Sequence, residues 1–338
     1  MAYRVAITNG YAARDGSTIF GDIGLSALAN AGLEWEVLPE HVDSLGSAEL
    51  EGFDAVLVMG PEKITAGSLP ESGRLRHVAR FGAGFDAVDV DACTRSGVIL
   101  TNTPDAVRRP VADAAVALLF GLAHNLVIKD RLVREGRWDE RQAWHGSGLD
   151  GATVGIIGFG GIGQETARRV RALGLRTVAC NRSDKSAEAR GMGVELLALN
   201  EVLAASDFVI VTLAANAGTR HLIGEAQLDL MKPGSRLINL ARGSVVDEQA
   251  MIARLSDGRL AGAGLDVFEQ EPLSPDNPLA TLDTVILAPH SLCWTDSFTK
   301  AVSGSVMESL IQASRGETPR YTVNPHAWTN SGSRALVG

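Results

Sequence analysis

Residues 153–163 read TVGIIGFGGIG. A short run rich in β-branched residues, Thr153–Ile157, leads straight into three glycines spaced Gly158-x-Gly160-x-x-Gly163. A helical pattern follows over Gly161–Leu173, with Ala167, Val170 and Leu173 on one face. Each glycine has a separate physical reason. Gly158 permits a tight turn out of the strand, Gly160 lets backbone approach a diphosphate, and Gly163 lets helix and strand pack closely. The helix start then offers free N–H groups and the positive end of its dipole to phosphate. A plain glycine-rich turn would also read this way, but the strand–turn–helix context points to dinucleotide binding by Gly158, Gly160, Gly161, Ile162 and Gly163.

Working outward, further apolar runs lie at Val5–Thr8, Ala55–Val58, Arg176–Cys180, Phe208–Thr212, Arg236–Leu240 and Leu260–Asp266. They do not alternate with polar residues, as expected of strands in a parallel sheet covered on both faces. Helical patterns lie at Asp113–Glu135, Glu248–Ser256 and Asp296–Arg315. Strand and helix in alternation predict a doubly wound α/β fold. Trp138–Asp150 is the least regular long stretch; it reads as a linker, or as a segment whose two tryptophans pack on something. After Pro319 the chain reads as extended, with an end that is poorly ordered. There is no internal repeat.

The length of 338 residues suits two domains of ordinary size. With 31 Lys plus Arg against 40 Asp plus Glu, the net charge is −9. Nucleic acid and anionic membranes both need a cationic footprint, so neither is expected as a partner. Hydrophobic content of 45% excludes wholesale disorder. Cys93, Cys180 and Cys293 are far apart, with no C-x-x-C pair. That spacing argues against a disulfide framework or a metal cluster and fits a reducing compartment. The N-terminus lacks the apolar core of a signal peptide, and no apolar run nears the ~18 residues that span a bilayer. A soluble, cytoplasmic protein is expected.

The ribose partner should lie at the end of the second strand of the unit, about 20 residues beyond the glycines, where an Asp or Glu favours NAD. Here that strand ends in Asn181-Arg182-Ser183, with Asp184 and Lys185 after it. Asn181 and Ser183 can donate hydrogen bonds, and Arg182 can pair with a 2′-phosphate that a carboxylate would repel. NADPH is therefore expected over NADH; the alternative leaves Arg182 in solvent and gives the ribose to Asp184.

Three polar residues each follow a strand: Arg242 in NLARGSVVDEQAM, Glu271 in AGAGLDVFEQEP and His290 in VILAPHSLCWTD. Ligands of doubly wound sheets sit at that carboxyl edge. Carbonyl reduction by a nicotinamide needs a proton donor and charge stabilisation besides the hydride. Histidine, with an ordinary pKa of about 6.5, can hold or release the proton. Glu271 can accept its other N–H, and Arg242 can grip a carboxylate or polarise a carbonyl. Each alone has a bland reading as a salt bridge, turn residue or surface charge; together, after the glycine motif, they read as a site.

These residues carry a likeness. The segments FGAGFDAVDVDA, VADAAVALLFGLAH, GLDGATVGIIGFGGIG, MKPGSRLINLARGSVVDEQA, GAGLDVFEQEP and the pair Pro289-His290 run in the order found in D-isomer-specific 2-hydroxyacid dehydrogenases, which the chain resembles. The resemblance implies a flavodoxin-like substrate domain, residues 1–101 and 295–338, with a Rossmann-type nucleotide domain, 102–294, inserted. It implies long helices crossing a hinge near Asp113 and Thr295, substrate in a cleft closed by domain motion, and a homodimer joined through the nucleotide domain. By resemblance Arg242 binds substrate, Glu271 partners the general acid–base His290, and the backbone of Ala83 and Gly84 takes the substrate carboxylate. Asp266 matches the residue that holds the nicotinamide carboxamide, while Leu213, Ala214 and Ala241 match segments along the cofactor. The implied activity is NADPH-dependent, with NADH second, interconverting a small-molecule 2-oxo acid and its D-2-hydroxy acid in the manner of glyoxylate/hydroxypyruvate reductases, with no metal.

Several positions depart from the family. Ser291-Leu292-Cys293-Trp294 replaces a small, glycine-containing stretch, so Trp294 either shapes the pocket or packs at the domain joint. Arg108-Arg109-Pro110 is unusually basic, and Asp113 stands where Glu is common. The two arginines either recognise a second anionic group on the substrate or face solvent. GSTIFGDIGL, from Gly16, has no counterpart. Two other activities are known on this architecture besides the main reading. A phosphite-type dehydrogenase is expected to carry Lys near FGAGFD, and formate enzymes carry Gln where Glu271 stands. A nucleotide-sensing corepressor can keep the catalytic trio.

Overall fold

The computed structural model describes residues 2–39 and 41–327. The chain forms two compact units: one of residues up to Val107 together with those from Trp294 onward, the other Arg108–Cys293.

The first unit holds a parallel sheet of β1 (Arg4–Ile7), β2 (Glu34–Val37), β3 (Ala55–Val58), β4 (His77–Arg80) and β5 (Ile99–Thr101), in the flavodoxin-like order β2-β1-β3-β4-β5. Helices α1 (Leu25–Asn30), α2 (Ser47–Leu50) and α3 (Val90–Arg95) connect them. All four residues of β3 are buried, as covering on both faces demands. β2, by contrast, reads Glu-Trp-Glu-Val at the sheet edge and buries only Val37, so it lacks the apolar run that marks its neighbours.

The strand order reverses direction between β1 and β3, and these strands run out to Gly10 and Gly60. The buried carboxylate of Glu62 accepts from both backbone N–H groups, at 3.2 Å from Gly10 and 2.9 Å from Gly60. A Cβ at Gly60 would lie 2.8 Å from a Glu62 oxygen, so glycine is what lets the carboxylate reach.

The second unit carries β6 (Thr153–Ile157), β7 (Arg176–Cys180), β8 (Glu195–Leu196), β9 (Phe208–Val211), β10 (Ser235–Asn239), β11 (Leu260–Leu265) and β12 (Val285–Leu287). All pair in parallel, in the order β12-β11-β10-β9-β6-β7-β8. This is the Rossmann order with a seventh strand, and its direction reverses between β6 and β9. Its helices are α4 (Arg108–Ala123), α5 (Leu126–Arg134), α6 (Gly161–Ala172), α7 (Ser186–Met192), α8 (Leu199–Ala205), α9 (Glu225–Leu230) and α10 (Glu248–Ser256). β9 shows why its sequence does not alternate: Val209 and Val211 enter one core, Phe208 and Ile210 the other. The chain then returns to the first unit as α11 (Asp296–Ser314).

The single helix expected over 113–135 is two. α4 begins at Arg108, with Pro110 in the first turn, where a missing N–H breaks no bond. It ends before Asn125, whose φ of 52° turns the chain, and α5 leaves at 61°. Asparagine tolerates that left-handed conformation better than most residues. Among the described residues no single helix is long and apolar enough to cross a membrane. Asp113 accepts from Arg169 Nε at 2.5 Å, tying α4 to α6.

Three irregular segments resolve differently from their sequence reading. Trp138 opens a 3₁₀ turn, Trp138–Ala143, and remains 59% exposed, so only Trp144 is partly covered. Beyond Pro319 the chain turns instead of extending: Thr322 bridges Thr101, and Asn324 accepts from Leu100 N–H at 2.7 Å. The expected disorder at the end concerns residues 328–338, which lie outside the described residues. The unmatched N-terminal segment brings Phe20 into an aromatic cluster, 5.0 Å from Phe81 and 4.9 Å from Trp294. Trp294 thus packs among aromatics of the first unit, Tyr11 included at 5.5 Å.

His77 opens β4 and is fully buried, with Nε2 2.8 Å from Thr101 Oγ1 and no partner for Nδ1. Burial drives its pKa down to about 3, so the folded ring is neutral. The unfolded ring titrates near 6.5, and below that pH only the unfolded chain gains the proton. Stability from this group is therefore full above about pH 6.5 and is lost as pH falls towards 3. Thermal melts should show the Tm difference between wild type and His77→Gln narrowing as pH falls through that window. A difference independent of pH would remove His77 from the acid response.

Candidate active site

Gly158 leaves β6 with φ of 100°, and its N–H donates to Cys180 O at 3.0 Å. A Cβ there would lie 2.7 Å from Leu213 N, while a Cβ on Gly163 would run into the Gly158 carbonyl. Both positions therefore need glycine for backbone to meet backbone. Thr212 Oγ1 donates to that same carbonyl at 2.8 Å, linking β9's end to the turn. Gly160 differs: a Cβ there would meet nothing within 4 Å. α6 starts at Gly161 with no side-chain cap. Its first-turn N–H groups and the open side at Gly160 fit a diphosphate.

At the end of β7, Asn181 Oδ1 accepts from Phe159 N–H at 3.0 Å, and its Nδ2 donates to Ser183 O and Oγ at 3.0 and 2.9 Å. Asn181 thus fastens the glycine turn to the neighbouring strand. The Asp184 carboxylate accepts from Ser186 Oγ at 2.5 Å and Ser186 N–H at 2.8 Å, which holds it below its usual pKa. It is committed to the start of α7. Arg182 and Ser183 remain exposed. The strand end therefore presents a guanidinium outward, while its nearest carboxylate is bonded to Ser186 at the start of α7.

The three polar residues follow β10, β11 and β12. Asn239, buried at the end of β10, shapes the first turn: Oδ1 accepts from Ala241 N–H at 3.0 Å and Nδ2 donates to Arg242 O at 3.0 Å. Gly243 passes so close to β11's end that a Cβ would strike the Phe268 carbonyl. Arg242 Nη1 donates to Ala241 O at 2.7 Å. Glu271 Oε1 accepts from Phe268 N–H at 3.0 Å, and Oε2 lies 2.8 Å from His290 Nδ1. Burial pushes the Glu271 carboxyl up, but its bond to His290, with Arg242 nearby, leaves it below the ordinary value. An ionised carboxylate only accepts, so Nδ1 of His290 carries a proton and donates, leaving Nε2 as the working nitrogen.

His290 takes φ of 55°, a left-handed backbone for a ring-bearing residue. The buried Asp266 holds the chain just beyond it, accepting from Ser291 N–H at 2.9 Å and Leu292 N–H at 3.2 Å. Burial raises the Asp266 carboxyl above its usual range. Ala241 is buried; Leu213 is partly covered and Ala214 exposed, just past β9.

In the first unit, Gly82 has φ of 130°, and the loop that follows is held by its carbonyls. Gly82 O accepts from Thr103 N–H at 2.9 Å, Ala83 O from Asn102 Nδ2 at 2.7 Å, and Gly84 O from Arg80 Nε at 3.1 Å. Arg80 Nη1 also donates to Gly60 O at 2.6 Å. Sequence reasoning missed Arg80, Asn102, Thr212 and Asn239. The available signal was that each stands at or next to the carboxyl end of a strand.

Seen as chemistry, the carboxyl edge of the second sheet holds a diphosphate turn, a guanidinium and an oriented imidazole–carboxylate pair, which define a nicotinamide-dinucleotide-dependent dehydrogenase. A family model described as "D-isomer specific 2-hydroxyacid dehydrogenase, NAD binding domain" matches residues 116–291. Glyoxylate reductase of Pyrococcus furiosus is 42% identical over 82% of this chain and 84% of its own. That of Thermococcus onnurineus is 40% identical over 86% and 88%. An NADPH-dependent glyoxylate/hydroxypyruvate reductase from Sinorhizobium meliloti, solved with NADP and malonate, superposes with a TM-score of 0.82 at 30% identity, covering 97% of this chain and 98% of that one. The chain belongs to the D-isomer specific 2-hydroxyacid dehydrogenase family and is an NAD(P)-dependent oxidoreductase.

Arg182→Ala should lower kcat/KM with NADPH by about 10-fold or more, the scale of one charge-assisted contact, and leave NADH rates nearly unchanged. Equal efficiency of the wild type with both cofactors would end the 2′-phosphate reading.

Proposed function

We propose that the protein reduces a small 2-oxo acid to its D-2-hydroxy acid with NADPH, NADH serving second, and that glyoxylate and hydroxypyruvate are its first substrates to try. The 2.8 Å pair of Glu271 and His290 carries the reading, because it leaves one nitrogen free to move a proton. The substrates named for the relatives support the choice of acid.

The bound dinucleotide supplies the hydride for the carbonyl carbon. The chain's own residues do the rest. N–H groups of Ala83 and Gly84 take the substrate carboxylate, their loop being braced through its carbonyls. Arg242 binds the substrate and stabilises charge growing on the carbonyl oxygen. His290 delivers a proton to that oxygen from Nε2, and Glu271 holds the ring and stabilises its charged form. Oxidation runs these steps in reverse. Asp266 keeps the segment after His290 in place and serves the nicotinamide carboxamide.

A cytoplasmic homodimer joined through the nucleotide unit completes the proposal. In support, α5 and the turn after it expose Leu126, Val133 and Trp138 at 62%, 59% and 59%, a density of bare apolar side chains that a partner would cover.

A panel of glyoxylate, hydroxypyruvate, pyruvate and bulkier 2-oxo acids, each with both cofactors, tests the substrate. His290→Ala should cut kcat by about 100-fold or more, with the fold intact by circular dichroism. Turnover close to wild type in that variant would refute the proton-transfer role. In sedimentation, Leu126→Glu with Val133→Glu should shift a dimer to monomer; a dimer that persists would place the interface elsewhere.

A further inference from the structure

The glycine turn has no cation of its own: residues 158–164 read GFGGIGQ. A bound dinucleotide diphosphate brings two negative charges to it, and helix N–H groups offer only partial charge in return. Arg108, the first residue of α4, lies across the start of α6. A Cβ added to Gly161 would meet Arg108 Nε, with Cζ at 2.8 Å and Cδ at 2.9 Å. Gly161 is therefore the space in which this guanidinium rests.

Two further observations bear on what it does there. A cation beside the N-terminal end of a helix opposes the helix dipole, an arrangement that an anion between them reverses. Within α6, Arg168 and Arg169 pair with Glu165 and Asp113 farther along the helix. Arg109, the other half of the basic pair, is exposed. Of the pair, it is Arg108 whose side chain lies at Gly161.

We propose that Arg108 is a cofactor-binding residue whose guanidinium grips the diphosphate of the dinucleotide, and that the absence of a side chain at Gly161 is what admits it. This rests on reading the glycine turn as the diphosphate site. It replaces the idea that Arg108 recognises a second anionic group on the substrate. Arg108 and Arg182 then divide the labour: Arg108 serves the diphosphate common to NADH and NADPH, and Arg182 serves the 2′-phosphate of NADPH alone. A planar fork suits bidentate binding of phosphate oxygens, which Lys at this position cannot reproduce.

Binding titrations with NADPH, NADH, ADP and adenosine test this without turnover. Arg108 is exposed, and circular dichroism of the variant checks that the fold is kept. In Arg108→Ala, Kd should rise by about 10-fold or more for NADPH, NADH and ADP alike, as expected for one charge-assisted phosphate contact, while weak adenosine binding and the NADPH/NADH ratio stay put. The dependence of Kd on salt should flatten, Arg108→Lys should recover part of the affinity, and Gly161→Ala should imitate Arg108→Ala by displacing the guanidinium. Unchanged Kd values in Arg108→Ala would overturn the assignment, as would a rise confined to the KM of dicarboxylic 2-oxo acids. A wild type that binds neither ADP nor the dinucleotides would sink the reading of the turn itself, a different failure.

Discussion

Backbone meeting backbone at the carboxyl end of β6 is the constraint from which the second unit is organised. Gly158 abuts the chain at Leu213, and Gly163 abuts the Gly158 carbonyl, so β6, α6 and β9 converge closely because neither glycine carries a side chain. Removing those Cβ atoms brings the helix start to the strand end, where its free N–H groups face the crevice created by the reversal of strand order. Asn181 and Thr212 then fasten this turn from the strands on either side. A methyl group at Gly163 would run into the Gly158 carbonyl and push the start of α6 off the sheet.

The candidate catalytic groups depend on the same edge through polar contacts. Parallel strands are stiff, and residues one to six places past their ends inherit that stiffness only if the connecting turns are held. Asn239 holds the turn carrying Arg242, the Phe268 N–H holds Glu271, and Asp266 holds the segment beyond His290. Burial is the largest single influence and would favour a neutral Glu271, yet the bond and charge of His290, the Phe268 N–H and the charge of Arg242 together outweigh it and hold the carboxyl below its ordinary range. That balance fixes the tautomer of His290 and so decides which nitrogen can serve a substrate. In the first unit the same logic appears without titratable groups at the loop itself: three carbonyls are taken up by Thr103, Asn102 and Arg80, which settles the course of the backbone around Ala83 and Gly84.

The doubly wound class was legible because the central strands of a covered parallel sheet are apolar on both sides; β3, β6 and β9 are visible as runs. Strands β2 and β8 were not, since edge strands bury little and leave no run. The break between α4 and α5 was hidden for another reason. Apolar periodicity continues across His124-Asn125, and only the left-handed Asn125 interrupts it. At the candidate site, the positions of the glycines, Arg242, Glu271 and His290 just past strands were legible. Asp184 was ambiguous, because a carboxylate at the ribose and one bonded to the next turn of the chain have the same letter.

From the chain of letters alone came the parallel α/β architecture, the glycine turn after a strand and the candidates Arg242, Glu271 and His290. These follow from local periodicity, from glycine's missing Cβ and from which residue types succeed a strand, all of which are properties of neighbours in sequence. Tertiary structure alone decided that Arg108 lies on Gly161, that Trp294 joins Phe20 and Tyr11, that Arg80 braces Gly84 and Gly60, and that Asp184 turns away to α7. Most of these contacts join residues far apart in the chain, and all depend on side-chain direction, which no spacing rule encodes.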